Sequence, residues 1–302
     1  MGKVVLECNN LYKKFGKKEI IKNVSTTLES GDILGFIGPN GAGKTTTIKL
    51  ILGLQKIDKG TVKINGYDIT TDFEKAIEKV GAIVENPDLY MYLSGYKNLK
   101  MIARMYKNVD TARINEVVKL VGLQERINDK VSKYSLGMRQ RLGIAQAILH
   151  RPNILILDEP TNGLDPEGIR ELRELMQKLA KEEQMAILIS SHNLAELDSF
   201  CTKICIIKNG EVIETKEINQ LKEESKMNYT IFKVSNTNKI KELAESANIL
   251  NNQEFKILTS EIEAAALVKR LVENNIDVYR IEEESISLED AFLKRTGGNK
   301  IV

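Results

Sequence analysis

Short apolar runs bounded by turn residues dominate the first part of the chain. The predicted strands, all short and rich in β-branched or aliphatic residues, are residues 4–7, 32–37, 60–64, 81–84, 154–157 and 186–189. The last three contain no alternation of apolar and polar positions, which is typical of strands buried on both faces of a parallel sheet. Around Asn209-Gly210, residues 205–215 have the pattern of a β-hairpin.

Helical periodicity appears between these strands. The predicted helices, each with apolar positions three or four residues apart, are residues 44–52, 96–106, 112–121, 139–150 and 168–181. Strands that alternate with helices predict an α/β fold around a buried sheet. Three of the five helices fall at about residues 87–150, so we expect a helical insert there.

A charged stretch at residues 222–226, KEESK, separates this region from the rest of the chain. We interpret it as a solvated linker. The elements predicted after it are a strand at 229–234, a helix from about 239, a strand at 255–258, a helix at 261–274 and a strand at 277–281. We therefore expect a principal domain at residues 1–222 and a small α+β domain at residues 228–302. The small domain contains no motif with chemistry.

The charge of the chain is nearly balanced, with 44 Lys+Arg against 42 Asp+Glu and a formal net charge of +2. No block of like charge is long enough for a nucleic-acid tail, so we expect no nucleic-acid partner. No apolar run approaches the roughly 18 residues of a spanning helix, and the first residues, MGKVVLE, predict neither secretion nor a lipid anchor. If this protein acts at a membrane, another chain must supply the membrane part.

The chain has three cysteines, Cys8, Cys201 and Cys205. The Cys201/Cys205 pair lacks the second ligand pair that zinc sites use. We expect reduced thiols in the cytosol.

The segment GPNGAGKTT follows an apolar run and opens a predicted helix, the context that a phosphate loop requires. Its residues, all candidates for ATP binding, are Gly38, Pro39, Asn40, Gly41, Ala42, Gly43, Lys44, Thr45 and Thr46. Backbone N–H groups of such a loop turn inward around the β-phosphate, and the helix amino terminus adds its positive end. Lys44 then reaches the β- and γ-phosphates, and the Thr45 hydroxyl binds Mg²⁺.

Two adjacent acids, Asp158 and Glu159, end the strand predicted at residues 154–157. Adjacent carboxylates at a buried strand end are costly without a cation. Asp158 suits a ligand that holds Mg²⁺ through water, and Glu159 suits the group that polarises an attacking water. Ser191 and His192 close the strand predicted at 186–189 in the same way, so parallel strands would bring His192 beside Glu159. His150 has no such context and is interpreted as structural.

These motifs, in this order, resemble the ATP-binding cassette (ABC) ATPases, and the decisive segment is YSLGMRQR at residues 134–141. It is similar to the family signature LSGGQ, which Ser135 and Gly137 match. Leu136 replaces a glycine and Met138 replaces the glutamine. The resemblance runs from about residue 4 to 221 and implies a phosphate-loop NTPase fold of ABC type. That fold has a RecA-like core, an antiparallel β subdomain and a helical insert.

The resemblance also implies roles for further residues. Asp165 is the acid of a segment similar to the D-loop. Phe15 stands where the family stacks an aromatic ring on adenine, and Tyr12 is close enough to compete for that role. Ser135 and Gly137 would bind the γ-phosphate held by the Lys44 loop of a second copy, which implies a homodimer closed around two Mg-ATP molecules.

Glu85, in AIVENPDLY, occupies the position of the family's Q-loop glutamine, which contacts Mg²⁺ and links the nucleotide to the membrane subunit. A carboxylate is a good ligand for a hard cation, but it cannot donate a hydrogen bond as an amide does. Triphosphate oxygens would repel it unless Mg²⁺ lies between them. We therefore expect Glu85 to face the metal and to transmit its presence to a partner.

A glutamate at this position, and the carboxyl-terminal segment ISLEDAFLKRTGG at residues 286–298, resemble the bacitracin-export and lantibiotic-immunity ATPases. The expected function is that of an ATPase subunit, at the inner face of the cell membrane, which energises an exporter of an antimicrobial peptide or drug. Its membrane permease would dock on the helical insert beside Glu85, at residues that could equally be core: Met91, Tyr92, Tyr96, Met101 and Met105.

Two alternatives belong to other functional classes. A soluble ABC protein that acts on ribosomes or DNA typically carries two cassettes or a long coiled-coil insertion, and this chain has one cassette and balanced charge. A regulatory module that holds ATP without cleaving it would not need both Glu159 and His192, and a measurement of phosphate release would distinguish it.

Overall fold

The computed structural model describes residues 2–220 and 228–284. These residues form two compact units that divide between Ile218 and Asn219. The predicted linker at residues 222–226 and the predicted tail at 286–298 lie outside the described residues, and the domain limits at 222 and 228 stay predictions.

The first unit is an α/β structure. Its strands are, in chain order, β1 Val4–Phe15, β2 Lys18–Glu29, β3 Ile33–Ile37, β4 Lys59–Ile64, β5 Tyr67–Asp68, β6 Val80–Ile83, β7 Ile154–Leu157, β8 Ala186–Ser191, β9 Lys203–Lys208 and β10 Glu211–Glu217. Its helices are α1 Lys44–Ile51, α2 Phe73–Ile77, α3 Gly95–Ala103, α4 Thr111–Leu120, α5 Leu136–Ile148, α6 Pro166–Glu182 and α7 Leu194–Asp198.

A six-stranded sheet forms the centre of this unit, in the order β10-β9-β3-β8-β7-β6. All neighbours in it are parallel except β9 and β10, which form the predicted hairpin. Every residue of β3, β7 and β8 is buried, as the absence of alternation predicted for the last two. The same prediction was wrong for one residue of β6, since Ala82 is exposed on this edge strand. The carboxyl ends of the three adjacent strands β3, β8 and β7 therefore lie along one edge of the sheet.

A second, antiparallel sheet has the order β2-β1-β4-β5. Strand β1 is 12 residues long, well beyond the four that the sequence predicted, because Lys and Asn interrupt its apolar pattern. Apolar residues of both sheets form one core, which also contains α1 residues such as Ile48.

Polar side chains fix the start of several helices. Helix α5 begins three residues earlier than predicted because the Ser135 hydroxyl accepts a hydrogen bond from the Met138 N–H at 3.2 Å. Asp165 caps α6 in the same way, accepting from the Gly168 N–H at 3.0 Å. Helices α3, α4 and α5 lie within the predicted helical insert.

The second unit has an antiparallel sheet in the order β12-β13-β11-β14. Its elements are β11 Asn228–Val234, α8 Ile240–Leu243, β12 Asn248–Asn251, β13 Glu254–Thr259, α9 Glu261–Glu273 and β14 Val278–Glu284. Phe232 and Phe255 stack with ring centroids 5.0 Å apart in a separate apolar core. The predicted α+β class is found here, with β12 as a strand that the sequence analysis missed.

No helix among residues 2–220 and 228–284 has the length and hydropathy that a membrane span requires.

Candidate active site

The phosphate loop connects the end of β3 to the start of α1. Gly41 and Gly43 have positive φ angles of 80° and 108°, a conformation that L side chains rarely adopt. The loop borders a cleft of about 370 Å³. The residues lining this cleft are Lys18, Ile20, Asn40, Gly41, Ala42, Gly43, Lys44, Thr45, Thr46, Glu159, Asn162 and His192.

The turn between β9 and β10 packs against the phosphate loop and forms a hydrogen bond with it. The Gly210 N–H donates to the Ala42 carbonyl oxygen at 2.9 Å. A Cβ atom on Gly38 would lie 2.1 Å from the Ile207 carbonyl oxygen, so only glycine fits there. The sequence signal for this hairpin was recognised, but its contact with the phosphate loop was not, because no local pattern encodes it.

Lys44, Glu159 and His192 form a continuous chain of polar contacts. Lys44 Nζ donates to the Gly38 carbonyl oxygen at 2.8 Å and lies 3.1 Å from Glu159 Oε1. Glu159 Oε2 lies 2.8 Å from His192 Nδ1. The side chain of Lys44 is only 5% exposed, so its ion pair with Glu159 is well shielded from water. The structure thus brings together one side chain from the start of α1 and two that follow the ends of β7 and β8.

Asp158, which directly precedes Glu159 in sequence, is 2% exposed. Its Oδ1 accepts a hydrogen bond from the Ser190 hydroxyl at 2.6 Å, and no Lys or Arg of the described residues forms an ion pair with it. A buried carboxylate without a cationic partner suits a hard divalent cation, and the hydroxyl of Thr45, which lines the cleft, is an oxygen donor of the same kind.

Glu85 is not brought to this cleft. Its carboxylate pairs with Lys49 Nζ of α1 at 2.8 Å, its side chain is 65% exposed, and its φ is 66°. The hydrogen bond and the charge of Lys49 hold the pKa of Glu85 below its usual value. In this structure Glu85 therefore faces a cation of the protein, and its role at the metal stays a prediction.

Ser135 and Gly137 also lie outside the residues that line the cleft. Ser135 is exposed at the amino end of α5, and a Cβ atom on Gly137 would lie 3.9 Å from Leu164. Leu136, the departure from the family signature, is 45% exposed; a Cβ atom on Gly163 would lie 2.9 Å from its Cδ2.

The two candidate adenine contacts lie on β1. Phe15 is 48% exposed, with Lys13 Nζ 5.5 Å from its ring centroid. Tyr12 is half-buried, and Lys59 Nζ lies 6.0 Å from its ring centroid. Exposure at the strand end leaves the face of Phe15 more accessible than that of Tyr12.

A second, larger groove of about 620 Å³ includes Glu85 and Lys49. Its other lining residues include Pro87, Tyr106, Gly143, Gln146 and His150. Near it in sequence, four of the five candidate docking residues are exposed rather than core: Met91, Tyr92, Met101 and Met105. Tyr96 is half-buried.

Three residues at or beside the site were not identified from the sequence. Lys18 adds a cation to the cleft, Ser190 bonds to both acids, and Glu196 accepts hydrogen bonds from the Thr161 and Ser191 hydroxyls at 2.5 and 3.1 Å. The sequence carried no motif for Lys18 or Glu196. Ser190 directly precedes Ser191 and His192, so its place at a strand end was the one available signal.

Two of the relatives described here align with nearly the whole chain, and a third aligns with 70% of it. Residues 21–162 match the family described as ABC transporter. The ABC transporter ATP-binding protein YhcH of Bacillus subtilis (strain 168) is 47% identical over 99% of this chain and 98% of its own. The bacitracin transport ATP-binding protein BcrA of Bacillus licheniformis is 39% identical over 98% and 99%. The lantibiotic transport ATP-binding protein SrtF of Streptococcus pyogenes is 41% identical over 70% and 91%.

Solved structures share the fold of the first unit. The ATP-binding subunit of an ABC transporter has a TM-score of 0.64 and 30% identity over 73% of this chain and 92% of its own. An ATP-binding cassette solved as a dimer in a post-hydrolysis state, bound to ADP and Pi, has a TM-score of 0.63 and 25% identity over 70% and 98%. The predicted ABC-type fold and the resemblance to the bacitracin and lantibiotic type are confirmed. The chain belongs to the ABC transporter family, as one of its ATP-hydrolysing subunits.

Proposed function

We propose that this ATPase energises the export of an antimicrobial peptide or drug of the bacitracin or lantibiotic type. The observation that carries the proposal is the similarity to BcrA, a bacitracin transport ATP-binding protein, which extends over 98% of the chain and so includes the carboxyl-terminal unit. SrtF, named for lantibiotic transport, supports the same class of cargo.

The contacts in the cleft support a division of roles for hydrolysis. The γ-phosphate would compete with the Glu159 carboxylate for the Lys44 ammonium group, since a triphosphate carries more negative charge than a single carboxylate. Glu159, released from Lys44, then acts as the base that polarises the attacking water, and His192 holds the γ-phosphate. Thr45 and Asp158 would hold Mg²⁺, with Glu85 as a further ligand if it leaves Lys49. When bound, Mg²⁺ neutralises phosphate charge and polarises the terminal phosphate.

A second copy of the chain would complete the site. Ser135 lies at the amino end of α5, where N–H groups attract anions, yet it is exposed and does not line the cleft of its own chain. Ser135 and Gly137 of one copy would close on the nucleotide held by the other, with Asp165 near the contact. Phe15 would stack on the adenine ring. The dimeric post-hydrolysis cassette supports this arrangement.

The membrane permease would dock at the groove that includes Glu85. Tyr106 lines the groove and is exposed, and Met101 and Met105, which are close to it in sequence, are exposed as well; such side chains suit an adaptable apolar contact. Because α1 starts at the phosphate loop and carries Lys49, the Lys49–Glu85 pair links the nucleotide to this groove. The protein would then act in the cytoplasm, attached to the inner face of the membrane through its permease.

The test of this function is the substitution Glu159→Gln. The amide keeps the size of the carboxylate but cannot act as a base, so phosphate release should fall by at least about a hundredfold while ATP still binds. With Mg-ATP the variant should form a stable dimer of twice the 34.0 kDa chain mass, measured by light scattering after gel filtration.

Two controls accompany this measurement. Glu171→Gln removes a half-buried carboxylate of α6 that lies 3.5 Å from Arg141, outside the residues that line the cleft, and it should leave phosphate release within about twofold. Normal turnover by Glu159→Gln would remove the role assigned to this residue. Loss of the antimicrobial resistance in cells that carry the variant would tie hydrolysis to export, whereas full resistance would contradict the proposed function.

A further inference from the structure

Ser190 lies in β8, beside the point where the neighbouring strand β7 ends and the acids Asp158 and Glu159 follow. Leu157 of β7 pairs with Ile189 of β8, so Ser190 stands level with Asp158 on the neighbouring strand. Ser190 has no exposed surface, and the four residues before it are apolar. A hydroxyl buried in such a strand requires a hydrogen-bond partner.

Both hydrogen-bond partners of the Ser190 hydroxyl belong to acidic residues: the carboxylate of Asp158 and the backbone N–H of Glu159. Ser190 Oγ donates to Asp158 Oδ1 at 2.6 Å and accepts from the Glu159 N–H at 2.8 Å. Because an ionised carboxylate only accepts and a backbone N–H only donates, the direction of each bond is fixed. One side chain thus ties the carboxylate of Asp158 to the backbone of Glu159.

Glu159 adopts a conformation that needs such support. Its φ is 49°, in the left-handed region that residues other than glycine seldom adopt. In this conformation its carboxylate reaches both Lys44 and His192, at 3.1 and 2.8 Å. The bond from its N–H to Ser190 fixes the peptide that sets the direction of the side chain.

At Asp158 the same hydroxyl determines which oxygen is free. Oδ1 is engaged by Ser190, and the residue is 2% exposed. Oδ2 is therefore left for a cation or for the water that binds one, and the carboxylate cannot rotate without breaking a charge-assisted bond.

We propose that Ser190 is a positioning residue for ATP hydrolysis, which holds Asp158 and Glu159 in one relative geometry. The inference rests on the proposed roles of these two acids. Ser190 acts through them, so its loss should affect turnover and the contribution of Mg²⁺ to binding far more than it affects the phosphate loop.

The first measurement compares steady-state ATP hydrolysis by the parent chain, Ser190→Ala and Ser190→Thr. Ser190→Ala should lower kcat about 10- to 100-fold and change KM by less than about threefold. Ser190→Thr keeps the hydroxyl and should restore kcat to within about fivefold of the parent. Thr26→Ala is the matched control, since Thr26 is also a buried strand residue, 7% exposed, on the antiparallel sheet. Its kcat should stay within about twofold.

The second measurement is equilibrium binding of ATP with Mg²⁺ and with EDTA. In Ser190→Ala the gain in affinity that Mg²⁺ provides should shrink by at least about threefold, whereas affinity in EDTA should match that of the parent. A general loss of structure would weaken binding under both conditions. If Ser190→Ala does not fold, Ser190→Cys, whose thiol is a weaker donor, replaces it with the same expectations.

The outcomes separate this inference from the proposed function. An active parent with an equally active Ser190→Ala overturns the inference alone. A loss of kcat that Ser190→Thr shares in full also overturns it, because the hydroxyl would then not be the cause. A parent chain without Mg-dependent ATP hydrolysis would overturn the proposed function and this inference together.

Discussion

His150 shows how packing decides the charge of a single side chain. It follows α5, stacks on Tyr106 with ring centroids 4.6 Å apart, and its Nε2 lies 3.1 Å from the Val80 carbonyl oxygen. Since a carbonyl only accepts, Nε2 carries a proton in this arrangement. Burial lowers the pKa of His150, and the charges of Lys79 and Arg113 lower it further.

The lowered pKa has a consequence for stability against pH. Below about pH 6.5 the unfolded chain takes up a proton at this position before the folded chain does, so the free energy of unfolding should fall as the pH drops from about 7 to 5. His150→Gln, which cannot be protonated, should make this fall shallower. Chemical denaturation at several pH values measures both curves. A titration midpoint of His150 above 6.5, observed by NMR, would contradict the expectation.

At the same scale, Lys44, Glu159 and His192 were predictable from sequence. Lys44 belongs to the phosphate-loop motif, and Glu159 and His192 come just after two parallel strands, whose carboxyl ends meet at the same edge of the sheet. The pairing of Glu85 with Lys49 was not, since it depends on a positive φ at Glu85 and on the direction of α1, neither of which its neighbours in sequence reveal. Its expected contact with the metal was argued from the resemblance to the Q-loop and from the charge of the carboxylate.

At the scale of elements, the close approach of β6 and α5 fixes the wall of the larger groove. A Cβ atom on Gly81 of β6 would lie 2.3 Å from the Ala147 carbonyl oxygen of α5. Because this neighbour is helix backbone, it cannot move aside as the end of a flexible side chain can. Glycine at this position therefore sets the distance between the central sheet and the helical segment.

Gly81→Ala should destabilise the protein by about 3 kcal/mol, since the helix must shift to admit one methyl group. Ala82→Ser is the matched control, because Ala82 is exposed in the same strand and its change should stay within about 0.5 kcal/mol. Urea denaturation followed by circular dichroism gives both values. Equal stability of the two variants would show that α5 is free to move away from β6.

The elements themselves were predictable where the pattern was clean. Strand β7 has the predicted limits, residues 154–157, because its apolar run is sharply bounded. The limits of α5 were shifted because a serine cap, Ser135, lies inside a motif that was interpreted for its chemistry alone. Strand β2 was missed because one of its inward positions is polar. Val24, Thr26 and Leu28 are buried in regular alternation, but Thr26 interrupts the apolar pattern in the sequence.

At the scale of the whole molecule, the three thiols are confined to one unit. Cys8, Cys201 and Cys205 are all buried and unpaired, and each lies in the first unit. Burial raises the pKa of Cys205 to about 11, and it raises the pKa of the other two thiols as well. Native thiols should therefore be both inaccessible and uncharged at neutral pH.

This distribution predicts that a thiol reagent such as DTNB labels the chain only after the first unit unfolds. All three cysteines should react in guanidinium chloride, and essentially none in buffer at pH 8. Mg-ATP at a hundred times its Kd should stabilise this unit by about 2.7 kcal/mol and move the midpoint of labelling to higher denaturant. Rapid labelling of the native chain, or a midpoint that ignores Mg-ATP, would contradict the prediction.

Because the three native thiols are buried, a spectroscopic probe can be attached selectively to an introduced cysteine. A cysteine introduced at an exposed position of the second unit, such as Lys241, would be the reactive thiol of the folded protein, with no need to replace the native three. A fluorophore attached there, paired with a labelled nucleotide, would report whether the distance between the two labels changes during a turnover cycle.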